Sequence, residues 1–369
     1  MFRFWHLNDQ LKNICQICTI QNAFETFFKM KVFGIYLPVI VLLGACVSTR
    51  NINVPEELFQ QQGSAQGTTY SIRYIATDSV LTAVMTEKLF AELDQSLSIY
   101  KPGSLINKFN ESPSGVNVDA HLKAVVEKAL YVNKATNGSF DITVYPLVDA
   151  WGFANHTRGK IPDSAPIKNI LSCVGSKYLK LNGNFLSKEK TCVKIDVNGI
   201  AQGYSVDFIA GKLDQLGIKN YMVEVGGEIK TKGANTINKR DWTIGIEQPN
   251  DEGFEPYRAL LRVNDAAVTT SGSYRKFYDS EGKRITHLIN PFTGYSIVSD
   301  LISVTVIAKD AITADGFDNA LMFLGKDNAL KFLQTHRELE AYLIYKKTNG
   351  TVGDTATAGF KKFLLPVNN

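Results

Sequence analysis

The sequence predicts an α+β fold on three observations. Short β-rich runs recur at hairpin spacing, helical periodicity surfaces only in isolated stretches, and the regular strand–helix alternation of a doubly wound parallel sheet is missing. The 369 residues are 44% hydrophobic and 21% charged, which provides for a sizeable core and excludes a chain disordered throughout. The one long apolar run, residues 32–45, falls short of the ~20 residues a spanning helix needs, which argues against a polytopic membrane protein. Formal charge is +4, with Lys and Arg scattered among acids, so no nucleic-acid partner is expected.

Residues 1–29 contain Asp9 and Glu25 within their apolar stretches and read as a start assigned too early or a disordered leader. On that reading the Cys15–Cys18 spacing is without a role. Met30-Lys31, the apolar run and Leu43-Gly44-Ala45-Cys46 resemble a bacterial lipoprotein signal over residues 30–45. That resemblance implies cleavage before Cys46, lipidation of its thiol, and a protein anchored to a bacterial membrane facing the periplasm. A cleaved secretory peptide, or a buried helix ending in Cys, is the plainer alternative. Residues 46–62 are polar and aperiodic and suit a tether, leaving residues 63–369 as the folded body.

Within the body, residues 68–75 alternate as a strand. Leu81, Val84, Met85, Leu89, Leu93 and Leu97 then recur at helical spacing. Asp119 caps a second helix whose buried face is Leu122, Val125, Val126 and Ala129, with Gly138 past its end. Strands are expected at 179–181 and 193–196, a helix at 201–216, and a strand at 221–225 running into Gly226-Gly227. Further strands are expected at 242–246, 259–263, 267–270 and 303–308, before a helix at 314–324. Cys173 and Cys192 each flank an expected strand, either as a disulfide or as two buried thiols.

The chemistry begins with absences: no GxxxxGK, GxGxxG, HExxH or GxSxG pattern occurs. Of five histidines, His287 stands apart, on a short expected strand that ends at Asn290-Pro291 where a side chain can face a cleft; a satisfied structural histidine is the alternative. Asp196-Val197-Asn198-Gly199-Ile200-Ala201-Gln202 joins strand to helix through a glycine, so its amides either meet an anion or make a plain turn. Val225-Gly226-Gly227-Glu228 offers a similar concavity with the same two readings. Asp315 and Asp318 lie three apart near a helix start and share one face, as hard oxygen ligands for Mg²⁺ or Ca²⁺ or, for Asp315, as a helix cap.

Taken in order, Gly67-Thr68-Thr69-Tyr70, Leu97-Ser98-Ile99-Tyr100, Gly138-Ser139-Phe140-Asp141, Asp196 through Tyr204, Gly226-Gly227-Glu228, Thr270-Ser271-Gly272, His287 through Gly294 and Ala314 through Asn319 resemble the ApbE family of FAD:protein FMN transferases. The resemblance spans residues 63 to about 350 and implies a single body of mixed, mostly antiparallel sheets flanked by helices. It implies an enzyme that moves FMN from FAD to a Thr or Ser hydroxyl of a protein with release of AMP. Mg²⁺ is the implied cofactor, held through the Gly199 carbonyl, Asp315, Asp318 and Asn319, the last standing where threonine is usual.

For FAD the implied contacts are Gln66, where many members have methionine, Tyr100, Ser139, Phe140, Asp141, Asp196, Gln202, often lysine, and Ile289 in a His-x-x-Asp-Pro segment that here carries Asn290. Phosphoryl transfer needs charge neutralisation and an in-line nucleophile more than covalent help. An imidazole titrates near ~6.5, which suits His287 to take the hydroxyl proton, with Asp315 assigned to the metal. The implied partner is an exported flavin-carrying protein, such as a respiratory oxidoreductase subunit. Two other functions stay open: a Mg²⁺-dependent FAD pyrophosphatase, and a non-catalytic FAD-binding lipoprotein.

Overall fold

A computed structural model describes residues 54–154, 162, 164–248, 257–274, 277–280 and 283–366. The expected leader, the lipoprotein signal and Cys46 lie outside the described residues. Eight strands form one sheet in the order β1 (Glu57–Ala65), β2 (Thr68–Ala76), β6 (Tyr221–Val225), β7 (Glu228–Lys232), β10 (Ala267–Gly272), β13 (Leu301–Ala308), β14 (Glu340–Lys346) and β15 (Val352–Ala356). Every neighbouring pair is antiparallel. Smaller antiparallel sheets are β3 (Gly115–Asn117) with β5 (Phe185–Lys188) and β4 (Leu179–Asn182), β8 (Thr243–Glu247) with β9 (Tyr257–Arg262), and β11 (Phe277–Ser280) with β12 (Lys283–Thr286). The helices are α1 (Ala83–Leu97), α2 (Leu105–Glu111), α3 (Ala120–Ala135), α4 (Tyr145–Ala150), α5 (Ser164–Leu171), α6 (Ala201–Gln215) and α7 (Ala311–Thr335). The α+β expectation is met, and among the described residues no helix is long and apolar enough to cross a membrane.

Period-two alternation lets the large sheet bury both faces. On β13, Val304, Val306 and Ala308 enter the core shared with the helices, beside Ile209, Phe317 and Leu321. Ile307 points the other way, into a second core with Trp242, Ile246, Leu261 and Phe360. The helix-covered face positions the site. α3 begins as expected: the Asp119 carboxylate accepts the Leu122 N–H at 2.9 Å and the Ser96 hydroxyl at 2.8 Å, satisfying a first-turn donor that has no partner within the helix.

Four expectations need correction. Residues 57–62, assigned to the tether, are the first part of β1, an edge strand whose Gln60-Gln61-Gln62 run hides its pairing with β2. Residues 193–196 are not a strand. The Ile195 N–H and carbonyl bond instead to the Asn110 side chain, at 2.7 and 2.9 Å, and the Asp196 N–H to the Ile142 carbonyl at 2.8 Å. One amide side chain thus replaces a neighbouring strand. His287 lies just past β12 rather than on a strand. The 314–324 helix extends to Ala311–Thr335, interrupted at Gly325, where φ is 73°. Between the two readings of Cys173 and Cys192 the structure gives the disulfide, with Cα atoms 5.5 Å apart.

Candidate active site

Two tight turns lie side by side at one end of the sheet. Ala65 pairs with Thr68, and Gln66 and Gly67 carry φ of 53° and 73°; Val225 pairs with Glu228, and Gly226 and Gly227 carry 63° and 99°. Positive φ at both central residues matches the right-handed twist of the flanking strands. Because β2 pairs with β6, the Gly226 N–H donates to the Thr69 carbonyl at 2.9 Å. The φ of 63° favours glycine at 226, and a Cβ there would also make the Gln202 amide, 2.5 Å away at Nε2, move aside. Of the two readings of Gly226-Gly227 the structure gives the plain turn, with the Gly227 N–H taken by Glu224 Oε1 at 2.8 Å.

Beside these turns opens a cavity of about 500 Å³. Its lining includes Gln66, Tyr100, Ser139, Phe140, Asp141, Asp196, Gly199, Gln202, His287, Ile289, Asp315, Asp318 and Asn319, so every candidate residue inside the described chain meets in one place. The lining combines the apolar side chains of Phe140, Val148, Phe153, Leu288, Ile289 and Ile297 with the carboxylates of Asp196, Asp315 and Asp318.

The acidic wall depends on close contact between α6 and α7. Asp310 caps α7 by accepting the Thr313 N–H at 2.9 Å, which removes capping as the explanation of Asp315. The Asp315 side chain turns to α6 instead, where Oδ2 accepts the Gly203 N–H at 2.8 Å. Only glycine fits at 203, since a Cβ would lie 2.4 Å from the Ala311 carbonyl oxygen and 2.7 Å from the Asp315 Cβ. Asp315 is 4% and Asp318 1% exposed. Burial holds the Asp315 carboxyl well above the usual carboxylate range, the Gly203 N–H opposes the rise, and the Asp207 charge adds to it. Asp318 Oδ2 accepts the Thr269 hydroxyl of β10 at 2.7 Å.

Asn319 ties three elements together. Its Nδ2 donates to the carbonyls of Gly199 at 3.2 Å and Asp315 at 3.0 Å, while Oδ1 accepts the Ser271 hydroxyl at 3.1 Å. The amide nitrogen, not the oxygen expected to coordinate, therefore faces the Gly199 carbonyl. Asn290, the second departure from the family pattern, accepts the N–H groups of Phe292 and Thr293 at 2.8 and 3.0 Å on Oδ1. An aspartate would make the same turn with the same atom.

Asp141, an implied flavin contact, lines the cavity and is held by the chain's own donors. Oδ1 accepts the Thr143 N–H at 2.8 Å and the Ser176 hydroxyl at 2.9 Å, and Oδ2 accepts the Ser176 N–H at 2.8 Å and Asn133 Nδ2 at 3.1 Å. Its carboxylate is committed to the chain's own donors and fixes the loop that presents Ser139 and Phe140. Asp196 is similarly engaged through Oδ1, which accepts the Asn198 N–H at 2.8 Å. The Gln66 Oε1 atom is buried without a hydrogen-bond partner, an acceptor that a bound donor would satisfy. His287 sits between Ile285 and Ile289, both buried with Leu147 and Trp151 in a small core, and its ring meets Phe153 edge-on at 6.3 Å.

Glu228, Ser271 and Asn198 also line the cavity, and none was singled out as a site residue from sequence. Ser271 reads as an ordinary strand residue; its one signal is membership of the Thr270-Ser271-Gly272 run. Among the described residues no group of three or more His, Cys, Asp or Glu gathers as a metal cluster. The donors present, two carboxylates, backbone carbonyls and an amide, are all of the hard oxygen class that suits Mg²⁺.

Known proteins resemble this chain in sequence and fold. A protein of Haemophilus influenzae named FAD:protein FMN transferase is 34% identical over 336 residues, covering 88% of this chain and 96% of its own length. Its namesake from Vibrio cholerae is 34% identical over 338 residues, 88% of this chain and 98% of the relative. The solved flavin transferase ApbE from Vibrio cholerae superposes with a TM-score of 0.77 at 33% identity, over 84% of this chain and all of that one. The flavinyl transferase ApbE of Pseudomonas stutzeri gives 0.75 at 28% identity, over 84% of this chain and 97% of that one. Residues 66–343 match the ApbE family model, and the chain belongs to the ApbE family.

Proposed function

We propose that this protein transfers FMN from FAD to a Thr or Ser hydroxyl of an exported flavin-carrying protein and releases AMP, while anchored through Cys46 to a bacterial membrane. The observation that carries the reading is the cavity, whose lining combines apolar and aromatic side chains with the carboxylates of Asp196, Asp315 and Asp318 and with His287, just past β12. Such a pairing suits a molecule with a large flat ring system at one end and a diphosphate in its middle. The names of the family members above support the same activity.

In the step proposed, the acceptor oxygen attacks the FMN-side phosphorus of the diphosphate, the bond from that phosphorus to the bridging oxygen breaks, and AMP leaves with the electron pair. His287 takes the hydroxyl proton. Phe140 and Ile289 pack the ring system, Asp141 keeps the Ser139–Phe140 loop in place, and the unpartnered Gln66 Oε1 accepts from a donor on the nucleotide. The Gly199 carbonyl, Asp315 and Asp318 would hold Mg²⁺, with Asn319 joining after a half-turn of its amide. When bound, Mg²⁺ supplies positive charge against the diphosphate.

The test is mass spectrometry of an acceptor protein and of the flavin after incubation with enzyme, FAD and Mg²⁺. An FMN-sized gain on the acceptor hydroxyl, matched by AMP and lost with EDTA, is the expected result. FMN and AMP with the acceptor unmodified would replace the transferase by the pyrophosphatase, and intact FAD would leave a binding protein.

A further inference from the structure

α6 and α7 are joined by two rungs. Gly203 donates its N–H to Asp315 Oδ2 at 2.8 Å, and one turn further along α6 the Asp207 carboxylate accepts the Ile312 N–H on Oδ2 at 2.9 Å. Gly203 and Asp207 lie four apart on one helix, Ile312 and Asp315 three apart on the other, so each pair shares a face. The second oxygen of Asp207 takes Lys230 Nζ at 2.6 Å, from the β7 strand that begins with the cavity residue Glu228. Neither Asp207 nor Lys230 is part of the cavity lining.

The same two elements carry a second ion pair, Lys232 with Asp214 at 2.8 Å, whose side chains are each 43% exposed. Asp207 and Lys230 are 16% and 23% exposed, so theirs is much the less screened of the two. The Ile312 N–H is also a first-turn donor with no partner within α7, and a carboxylate there meets the positive end of the helix. Asp207 thus fixes the first turn of α7 against α6, and Asp315 stands one turn beyond.

We propose that Asp207, held by Lys230, is a positioning residue for the divalent-cation site, setting where the Asp315 carboxylate stands without touching cation or substrate. The inference rests on the reading of Asp315 as a cation ligand.

The experiment titrates Mn²⁺ into metal-free enzyme, following free Mn²⁺ by electron paramagnetic resonance, and separately measures FAD binding without metal by flavin fluorescence. Asp207→Ala is expected to weaken Mn²⁺ binding about 10- to 100-fold, the range for groups that orient metal ligands, with metal-free FAD affinity within about 2-fold. Asp207→Asn, which keeps an acceptor for Ile312 but loses the ion pair, falls between that variant and wild type. Asp214→Ala, the exposed counterpart, binds Mn²⁺ as wild type does. Should Asp207→Ala fail to fold, Asp207→Asn and Lys230→Met carry the test, and both must weaken Mn²⁺ binding. Wild-type Mn²⁺ affinity in the folded Asp207 variants overturns the positioning role, as does an equal loss in Asp214→Ala. A wild-type enzyme that does not bind Mn²⁺ overturns the cation reading beneath it.

Discussion

Asp141 and Asp315 line one cavity, yet Asp141 sits in a loop wall and receives donors from Thr143, Ser176 and Asn133, whereas Asp315 sits in a helical wall and receives the Gly203 N–H. The loop wall has no ladder of its own, so the Asp141 carboxylate is used up replacing one. In the helical wall Asp315 receives the Gly203 N–H, and Asp318 the Thr269 hydroxyl. A buried carboxylate with few donors is costly unless a cation or a proton joins it, and Asp315 is held above the usual carboxylate range by burial. Lining a cavity therefore says little about what a residue does there; the count of its own-chain donors says more.

Substitutions can break this contrast. Asp315→Ala should remove about 10³-fold or more of the transfer rate, the size of a lost metal ligand's charge stabilisation, with the melting temperature unchanged or raised; comparable rates with and without the carboxylate would erase the distinction between the walls. His287→Ala should lower the rate about 10²-fold or more as a lost general base while FAD affinity, read by fluorescence, stays put. Asp141→Ala should act in the opposite sense, costing about 3 kcal/mol in a denaturant melt because several buried donors lose a charged acceptor, with activity falling only through weaker FAD binding.

The smallest effect sharpens the contrast by pH. A carboxyl whose folded value is raised binds its proton more tightly when folded, so its stabilisation is complete below the unfolded value near ~3.9 and is lost as pH rises through the folded one. Metal-free enzyme should accordingly lose stability as pH climbs out of the acid range toward neutrality, and Asp315→Asn should flatten that slope in melts taken across the range. An unchanged slope would assign the loss to another group.

How much of this was legible beforehand follows the same division. The regular elements were readable: Asp119 announced its cap, residues 221–225 their strand, and Asp315 with Asp318 their shared face, because helix and strand periods write themselves into local spacing. The loop wall was readable only as residues, not as roles, since the partners of Asp141 come from Asn133 and Ser176, on either side of it in sequence. The strand expected at 193–196 failed for a related reason: its β-rich composition is real, but its backbone is satisfied by Asn110. β1 was hidden by a polar run that an edge strand tolerates. The family resemblance assembled the cavity lining that periodicity could not.

β2 and β6 are neighbours in the sheet, with Tyr74 opposite Tyr221, and the long excursion between them carries Tyr100, Ser139, Phe140, Asp196 and Gln202, while β10 and α7 supply the facing groups. The lining is thus shared between stretches far apart in sequence. A ligand that touches both parts stabilises the completed state over one in which a single part has formed, and shifts its population by mass action. Retention of flavin is thereby a readout of whether the whole molecule has finished folding.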